Sequence, residues 1–427
     1  MNGCANASPG CEARRPREGQ RKVAGYRKIG DRHVVVFAED NTEFTADRLR
    51  WERDELHGQL SVATGLLGAR ATGDSDGLIS FGTFNFSRPR AARDRAKDLA
   101  DRSRASKIDW IGRLDEVRHH ILKAERQGSP SIDLRTATKP PADDEFNIDG
   151  FRFPKRHATI LFGDGGTAKS YHALYLAGCL SRQGVRTAMF DWELDEHAHR
   201  ERLEHLFGPT MPEVRYVRCD RPLVHEIDRL KRVVADDGLA FGFFDSIGFA
   251  VPGRPEDAEH AMGYFRAVRQ LGIGTHHIAH VRQGEGNDQR PFGSTFWHNA
   301  ARSTWYAKLA ATSPDGECLT VGLYNRKSNL SAIRGAVGYQ VVFESQRTTF
   351  SRVDVAGNRD LAAELPLWMR MKHALSRGPQ TLARLAEDLG ANVETLDRTV
   401  RRKSAVFTRV PSPDGISRIA LLESRAA

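Results

Sequence analysis

No stretch of the 427 residues approaches the ~18 consecutive apolar residues of a membrane span, so no membrane anchor is predicted. The first 22 residues carry arginines but no apolar core, which argues against a secretory signal. Cysteine is scarce. Cys4, Cys11, Cys179, Cys219 and Cys318 are five in number and scattered, and no C-x-x-C pair occurs among them. An odd, dispersed set offers no disulfide framework and suits a reducing cytoplasm. Internal repeats and long low-complexity tracts are also lacking, which excludes a repeat array.

What remains is ordinary for a soluble protein, with 40% hydrophobic and 28% charged residues. The length allows roughly two or three domains with a full core. Sixty-four basic against fifty-five acidic residues give a net charge of +9, a weak bias toward polyanionic partners over so long a chain.

The most informative stretch is 159–170, TILFGDGGTAKS. An apolar run (Thr159, Ile160, Leu161, Phe162) enters a glycine-rich turn, and a lysine and serine then open a helical pattern. That order predicts a strand, a phosphate-binding loop over Gly163, Asp164, Gly165, Gly166, Thr167, Ala168, Lys169 and Ser170, and a helix. Glycines let successive backbone N–H groups face phosphate oxygens, and the helix N-terminus adds a favourable dipole. Lys169 would reach the outer phosphates and Ser170 would hold magnesium. The motif G-x-x-x-x-G-K-[ST] is broken at one place, where Ala168 stands for glycine. A negative φ there would accommodate alanine, whereas a positive φ costs about 1 kcal/mol or more.

Further along, strands and helices alternate: RTAMFDW, a charged helix DEHAHRERLEHLF, VRYVRC, a helix over 226–236, LAFGFFDS, a helix over 255–270 and THHIAHV. This pattern predicts a parallel sheet with helices on both faces. Beyond 310 the strands ECLTVGLYN, AVGYQVVFE and TTFSRV predict an antiparallel extension. Before the loop, 1–22 reads as a disordered tail and 23–127 as a small α/β domain. In that domain HVVVFAED is a strand, TADRLRWERDELHGQLSVAT is a helix running into a strand, and 88–125 is helical. Its arginines (Arg88, Arg90, Arg93, Arg95, Arg102, Arg104) fit a solvated helical face or a nucleic-acid contact. Residues 128–147 read as a linker, 148–355 as the nucleotide domain and 366–424 as a C-terminal domain.

Several residues carry candidate chemistry. Asp245 ends an apolar strand about 75 residues after the loop, where it can accept from Ser170 or from a water on magnesium. Glu193 follows the next strand and would orient the attacking water, with Asp191 as the alternative. His280 ends THHIAHV and reads as a polar sensor of the γ-phosphate. His276 and His277 read as structural, their spacing being poor for zinc, and His197 and His199 are expected on a solvated helix. Arg326, Lys327 and Arg302 are candidates for charge delivered to a neighbouring subunit's phosphate, a task for which arginine's permanent charge is suited. Gly293-Ser294 opens a short helix.

Together, GDGGTAKS, Glu193, FFDS, HIAHV, PFGS and NRKSN resemble the RecA-like ATPases, and within them the RepA-type hexameric replicative helicases and related plasmid or phage AAA-family proteins, over about residues 148–350. The resemblance implies ATP and Mg2+ as cofactors, a catalytic Glu193, a sensor His280, and Lys327 or Arg326 acting across a subunit interface in a ring. The C-terminal segment resembles a winged helix. PQTLARLAEDLG is its first helix and NVETLDRTVRR the recognition helix, with Arg398, Arg401, Arg402 and Lys403, and the hairpin at Pro413-Asp414-Gly415 is the wing. The whole resembles an ATP-driven DNA motor or remodeller, a homo-oligomer, with single-stranded DNA at the ring and duplex at the winged helix. A non-motor DNA-binding regulator or loader, or a signalling or defence ATPase whose winged helix recruits protein, fits the same features.

Overall fold

The computed structural model describes residues 25–29, 31–66, 68–70, 77–105, 107–128, 131–139, 141, 143–280, 291, 293–330, 332–411 and 415–422. The tail at 1–22 with Cys4 and Cys11, Val281 of HIAHV, Phe292 and the Pro413-Asp414 turn lie outside them. The chain divides into two compact units, Met1–Thr138 and Lys139–Ala427.

In the first unit, β1 (Gly25–Ile29), β2 (Arg32–Phe37), β3 (Thr42–Glu52), β4 (Glu55–Ala63) and β5 (Leu78–Asn85) form an antiparallel meander in sequence order. Helices α1 (Pro89–Ser103) and α2 (Trp110–Gln127) follow. The helix expected at the start of TADRLRWERDELHGQLSVAT is instead the β3–β4 hairpin. Alternate positions Phe44, Ala46, Leu56, Leu60 and Val62 are buried, a period of two that packs one sheet face against α1 and α2. The helix-favouring charges sit at the hairpin tip, which Arg53 turns with a φ of 54°. Sheet burial outweighs local propensity here. Four of the six arginines are spent within the unit: Arg88 on Glu55, Arg90 on Asp94, Arg95 on the Thr83 carbonyl, and Arg102 on Asp98 and the Ile79 carbonyl.

The second unit opens with a hairpin, β6 (Glu145–Ile148) and β7 (Phe151–Pro154), so the last linker residues are strand. Then come β8 (Ala158–Gly163), α3 (Lys169–Arg182), β9 (Thr187–Asp191), α4 (Glu196–Phe207), β10 (Val214–Arg218), α5 (Leu223–Asp236), β11 (Phe241–Asp245), α6 (Ala258–Gln270), β12 (Gly274–His280), α7 (Thr295–Ala300) and β13 (Ser303–Thr312). Three further strands, β14 (Cys318–Ser328), β15 (Val337–Glu344) and β16 (Arg347–Val353), complete a nine-stranded sheet ordered β10-β9-β11-β12-β8-β13-β14-β15-β16. Strands β10 to β13 run parallel and β13 to β16 antiparallel. Helices α3 and α4 pack on one face with Phe151 and Phe153, while α5, α6 and α7 pack on the other. Strand β13 is one of the elements missed in the sequence: Ser303 and Thr304 make it look polar, yet both are buried, with Trp305 and Tyr306 beside them.

After α8 (Arg359–Ala362), the chain forms α9 (Leu367–Leu375), β17 (Gln380–Thr381), α10 (Leu382–Leu389), α11 (Val393–Arg402), β18 (Phe407–Val410) and β19 (Arg418–Leu421). The three strands pair as β17-β19-β18, and Met371, Leu375, Leu385, Leu396, Val400, Phe407 and Ile419 close a separate core. Helix α9 precedes PQTLARLAEDLG, so that segment supplies the second of three helices.

Between the sheet and α3, His172 and His276 are fully packed among Phe151, Phe153, Phe243 and Tyr339. Burial pulls both imidazoles down to about 3, and the charge of His276 would further depress His172. The folded state therefore keeps them neutral while the unfolded chain protonates them below about 6.5. Their contribution to stability is whole above that pH and is lost as pH falls toward 3, at about 1.4 kcal/mol per pH unit for each ring. Replacing His172 with Phe should flatten the stability–pH slope between 6 and 4 by about that amount in denaturant titrations. Parallel wild-type and variant curves would refute this.

Candidate functional site

The parallel strands deliver their C-terminal ends to one edge. There residues 165–171, Glu193, Leu194, Arg202, Asp245, Ile278 and His280 line a cleft of about 280 Å3. The order β9-β11-β12-β8 explains the convergence. Strand β12 lies between β8 and β11, so His280 stands between the loop after β8 and Asp245 at the end of β11.

Gly163 pairs with Ala307 of β13, and an added Cβ would come within 2.3 Å of the Ala307 carbonyl oxygen. Its glycine is therefore required by strand packing. Ala168 adopts a φ of 55° and caps α3, so the unfavourable alternative for this residue is the one realised. Lys169 is buried and donates to the carbonyls of Gly163 at 2.9 Å and Asp164 at 2.6 Å, and to Thr167 Oγ1 at 3.1 Å. Burial pulls its ammonium down to about 8, opposed by Asp245, Asp164 and Glu193. The loop thus folds around its own lysine, whose three bonds end on groups that an anion would replace.

Asp245 is 3% exposed and accepts a hydrogen bond from Ser170. Burial pushes its carboxyl up to about 7; the Ser170 bond opposes this, while Asp191 and Glu193 add to it. Glu193 is exposed, and its carboxylate accepts from Ser246 Oγ. His280 is held below its usual range by burial and then by Lys169, with Glu193 opposing. The hydroxyl–carboxyl pair of Ser170 and Asp245, with further carboxylates nearby, fits a hard divalent cation.

One residue, His199, stands differently from expectation, and Asp191, Lys327 and Arg326 each have defined partners within the chain. His199 is 4% exposed, not solvated, and its Nε2 meets Asp191 Oδ2 at 2.6 Å. Asp191 is buried and also accepts from the N–H groups of Glu193 and Leu194, so of these two carboxylates Glu193 is the one that lines the cleft. Lys327 donates to the carbonyls of His298, Asn299 and Ala301 at 2.8, 2.8 and 2.9 Å, closing the end of α7. Arg326 pairs with Glu364 at 2.8 Å and lies over Tyr306 and Tyr324. Neither cation lines the cleft. His277 bonds Tyr264 and Thr275, a structural arrangement, and Arg302 is exposed.

Arg202 is the cleft residue missed in the sequence. It lies 4.5 Å over the Tyr171 ring, and its Nη1 is buried with no hydrogen-bond partner among the described residues. Its place on the helix after Glu193, two turns on, is the available signal.

No protein-family model matches the chain, and no curated protein matches it. Among solved structures, 47% of the chain is similar to 91% of a KaiC-like protein from the hyperthermophilic archaeon Pyrococcus horikoshii, at 14% identity and a TM-score of 0.36. The same share is similar to 85% of a second solved structure, an ATPase domain, at 13% identity and a TM-score of 0.38. At these scores the functional reading rests on the cleft itself.

Replacing Ala168 with Gly should stabilise the second unit by about 1 kcal/mol, since glycine occupies this backbone region without strain. An unchanged or lower denaturation midpoint would show that the loop tolerates alanine at no cost.

Proposed function

We propose that this chain is a RecA-like ATPase that binds ATP at the β8–α3 loop and couples its hydrolysis to DNA. The supporting observation is the convergence of Lys169, Ser170, Glu193, Asp245 and His280 on one cleft from the ends of adjacent parallel strands. Loop N–H groups and the start of α3 cradle the phosphates. Lys169 exchanges its carbonyl partners for phosphate oxygens, which raises its depressed proton affinity again. Ser170 and Asp245 hold magnesium, which when bound neutralises phosphate charge. Glu193 aligns the attacking water, and His280, between loop and Asp245, senses the terminal phosphate.

Coupling to DNA draws on the C-terminal fold, read as a winged helix with α11 as its recognition helix. Arg398 and Arg402 are exposed one turn apart, spaced to meet phosphates, while Arg401 is tied to Asp397 and Lys403 lies over Trp368. The fuller reading is a ring-forming replicative helicase of a plasmid, phage or integrated element. A DNA-binding regulator gated by ATP is the second reading, favoured by the same exposed pair on α11.

Steady-state ATPase turnover with and without single-stranded DNA, at one fixed low salt concentration, separates these. Stimulation by single strands supports the motor; indifference to single strands with tight duplex binding supports the regulator; indifference to both removes DNA from the function. Lys169→Ala should abolish turnover, and Glu193→Gln should retain ATP binding while losing turnover by about 10²-fold or more. Normal turnover in Lys169→Ala would overturn the site. Charge reversal at Arg398 and Arg402 together should weaken DNA binding about tenfold or more at low salt, with basal turnover preserved; unaltered affinity would remove α11 from the interface.

A further inference from the structure

The turn that carries Glu193 is held by several bonds, among them the Ser246 hydroxyl on the Glu193 carboxylate, and one buried pair fixes its backbone. Asp191, 1% exposed, ends β9. Its Oδ1 accepts the N–H groups of Glu193 at 2.6 Å and Leu194 at 2.7 Å, and its Oδ2 takes His199 Nε2 at 2.6 Å. Around this core, the Trp192 N–H donates to the Asp245 carbonyl at 2.8 Å, and the Tyr216 hydroxyl donates to the Leu194 carbonyl at 2.7 Å. Tyr216 also packs on the His199 ring, with centroids 5.5 Å apart. His199 Nδ1 is buried with no hydrogen-bond partner among the described residues, so the polar commitment of the ring is to Asp191.

This geometry constrains Glu193 in a specific way. A single carboxylate oxygen that accepts two successive N–H groups fixes the backbone between them, and hence the direction in which the Glu193 side chain leaves it. The second oxygen would be an unpartnered buried acceptor without His199, free to turn the carboxylate and loosen both bonds. The Nε2–H tautomer of His199 meets that oxygen and leaves no buried N–H unpaired.

We propose that Asp191 and His199 are positioning residues for hydrolysis: they set where the Glu193 carboxylate stands without touching the nucleotide themselves. The proposal rests on the reading of Glu193 as the group that aligns water. A displacement of about 1 Å in such a group costs about 10²-fold in rate, while phosphate binding, which depends on the loop after β8, is left intact.

The test compares kcat with the Kd of an ATP analogue in the full chain. His199→Leu should lower kcat about 10- to 100-fold with Kd within about twofold of wild type. His199→Gln, whose amide N–H can reach the Nε2 position, should recover kcat to within about threefold of wild type. In a Glu193→Gln background, His199→Leu should bring no further loss, because the group it positions is gone. If His199→Leu does not fold, Asp191→Asn carries the test, with kcat expected to fall about fivefold or more at unchanged Kd.

Wild-type kcat in His199→Leu, or in Asp191→Asn where that variant stands in, overturns the proposal. So does Gln performing no better than Leu, a matching loss of Kd, or an equal further loss in the Glu193→Gln background. Wild-type turnover in Glu193→Gln alone would instead remove the reading of Glu193, and the positioning role with it. Turnover lost in Glu193→Gln but kept in His199→Leu removes the positioning role only.

Discussion

Parallel pairing of β8 and β11 on either side of β12, with β9 beyond β11, is the constraint on which the site depends. In a parallel sheet each strand enters from the same edge, so residues far apart in sequence meet where the strands end. Ser170, Glu193, Asp245 and His280 share no local sequence context. They become neighbours because four apolar strands bury their side chains on both faces and align in register. The long aromatic run of β11, with Phe241, Phe243 and Phe244 fully buried, holds Asp245 where water cannot easily reach it.

That burial has an electrostatic consequence. A desolvated carboxyl favours its neutral form and a desolvated ammonium its neutral form too, which is why Asp245 is pushed up to about 7 and Lys169 pulled down to about 8. Asp245 is the leading charge acting on Lys169, and it offsets part of that lysine's shift. Both groups are therefore held away from their usual charge balance in a cleft open to an anion and a cation.

Much of this architecture is legible in the sequence, because β8, β9, β11 and β12 are apolar runs that end in polar residues and alternate with helical segments. The failures have identifiable causes. The β3–β4 hairpin carries arginine and glutamate at its tip, which mimic a helix, while the buried positions alternate over stretches too short to dominate. Strand β13 begins with Ser303 and Thr304, and nothing local reveals that the antiparallel extension buries them. His199 reads as solvated because its helix is charged; only the fold brings Asp191 beneath it. Ala168 shows the opposite case. Two conformations are open to it, and the sequence carries the consequence of each without deciding between them.

The two cations on the late strand, Lys327 and Arg326, are each held within the chain. Lys327 satisfies three carbonyls at the end of α7, and each charged hydrogen bond of this kind is worth about 1.5–3 kcal/mol, so its release strips the helix end of all three. Arg326 pairs with Glu364 and lies over the faces of two tyrosines, with its side chain 27% exposed. A partly exposed pair is worth about 1 kcal/mol or little more, and Lys308 remains beside Glu364 at 3.0 Å to keep that carboxylate paired. Both cations are therefore committed to groups of their own chain, Lys327 to the end of α7 and Arg326 to Glu364 and the two tyrosine faces.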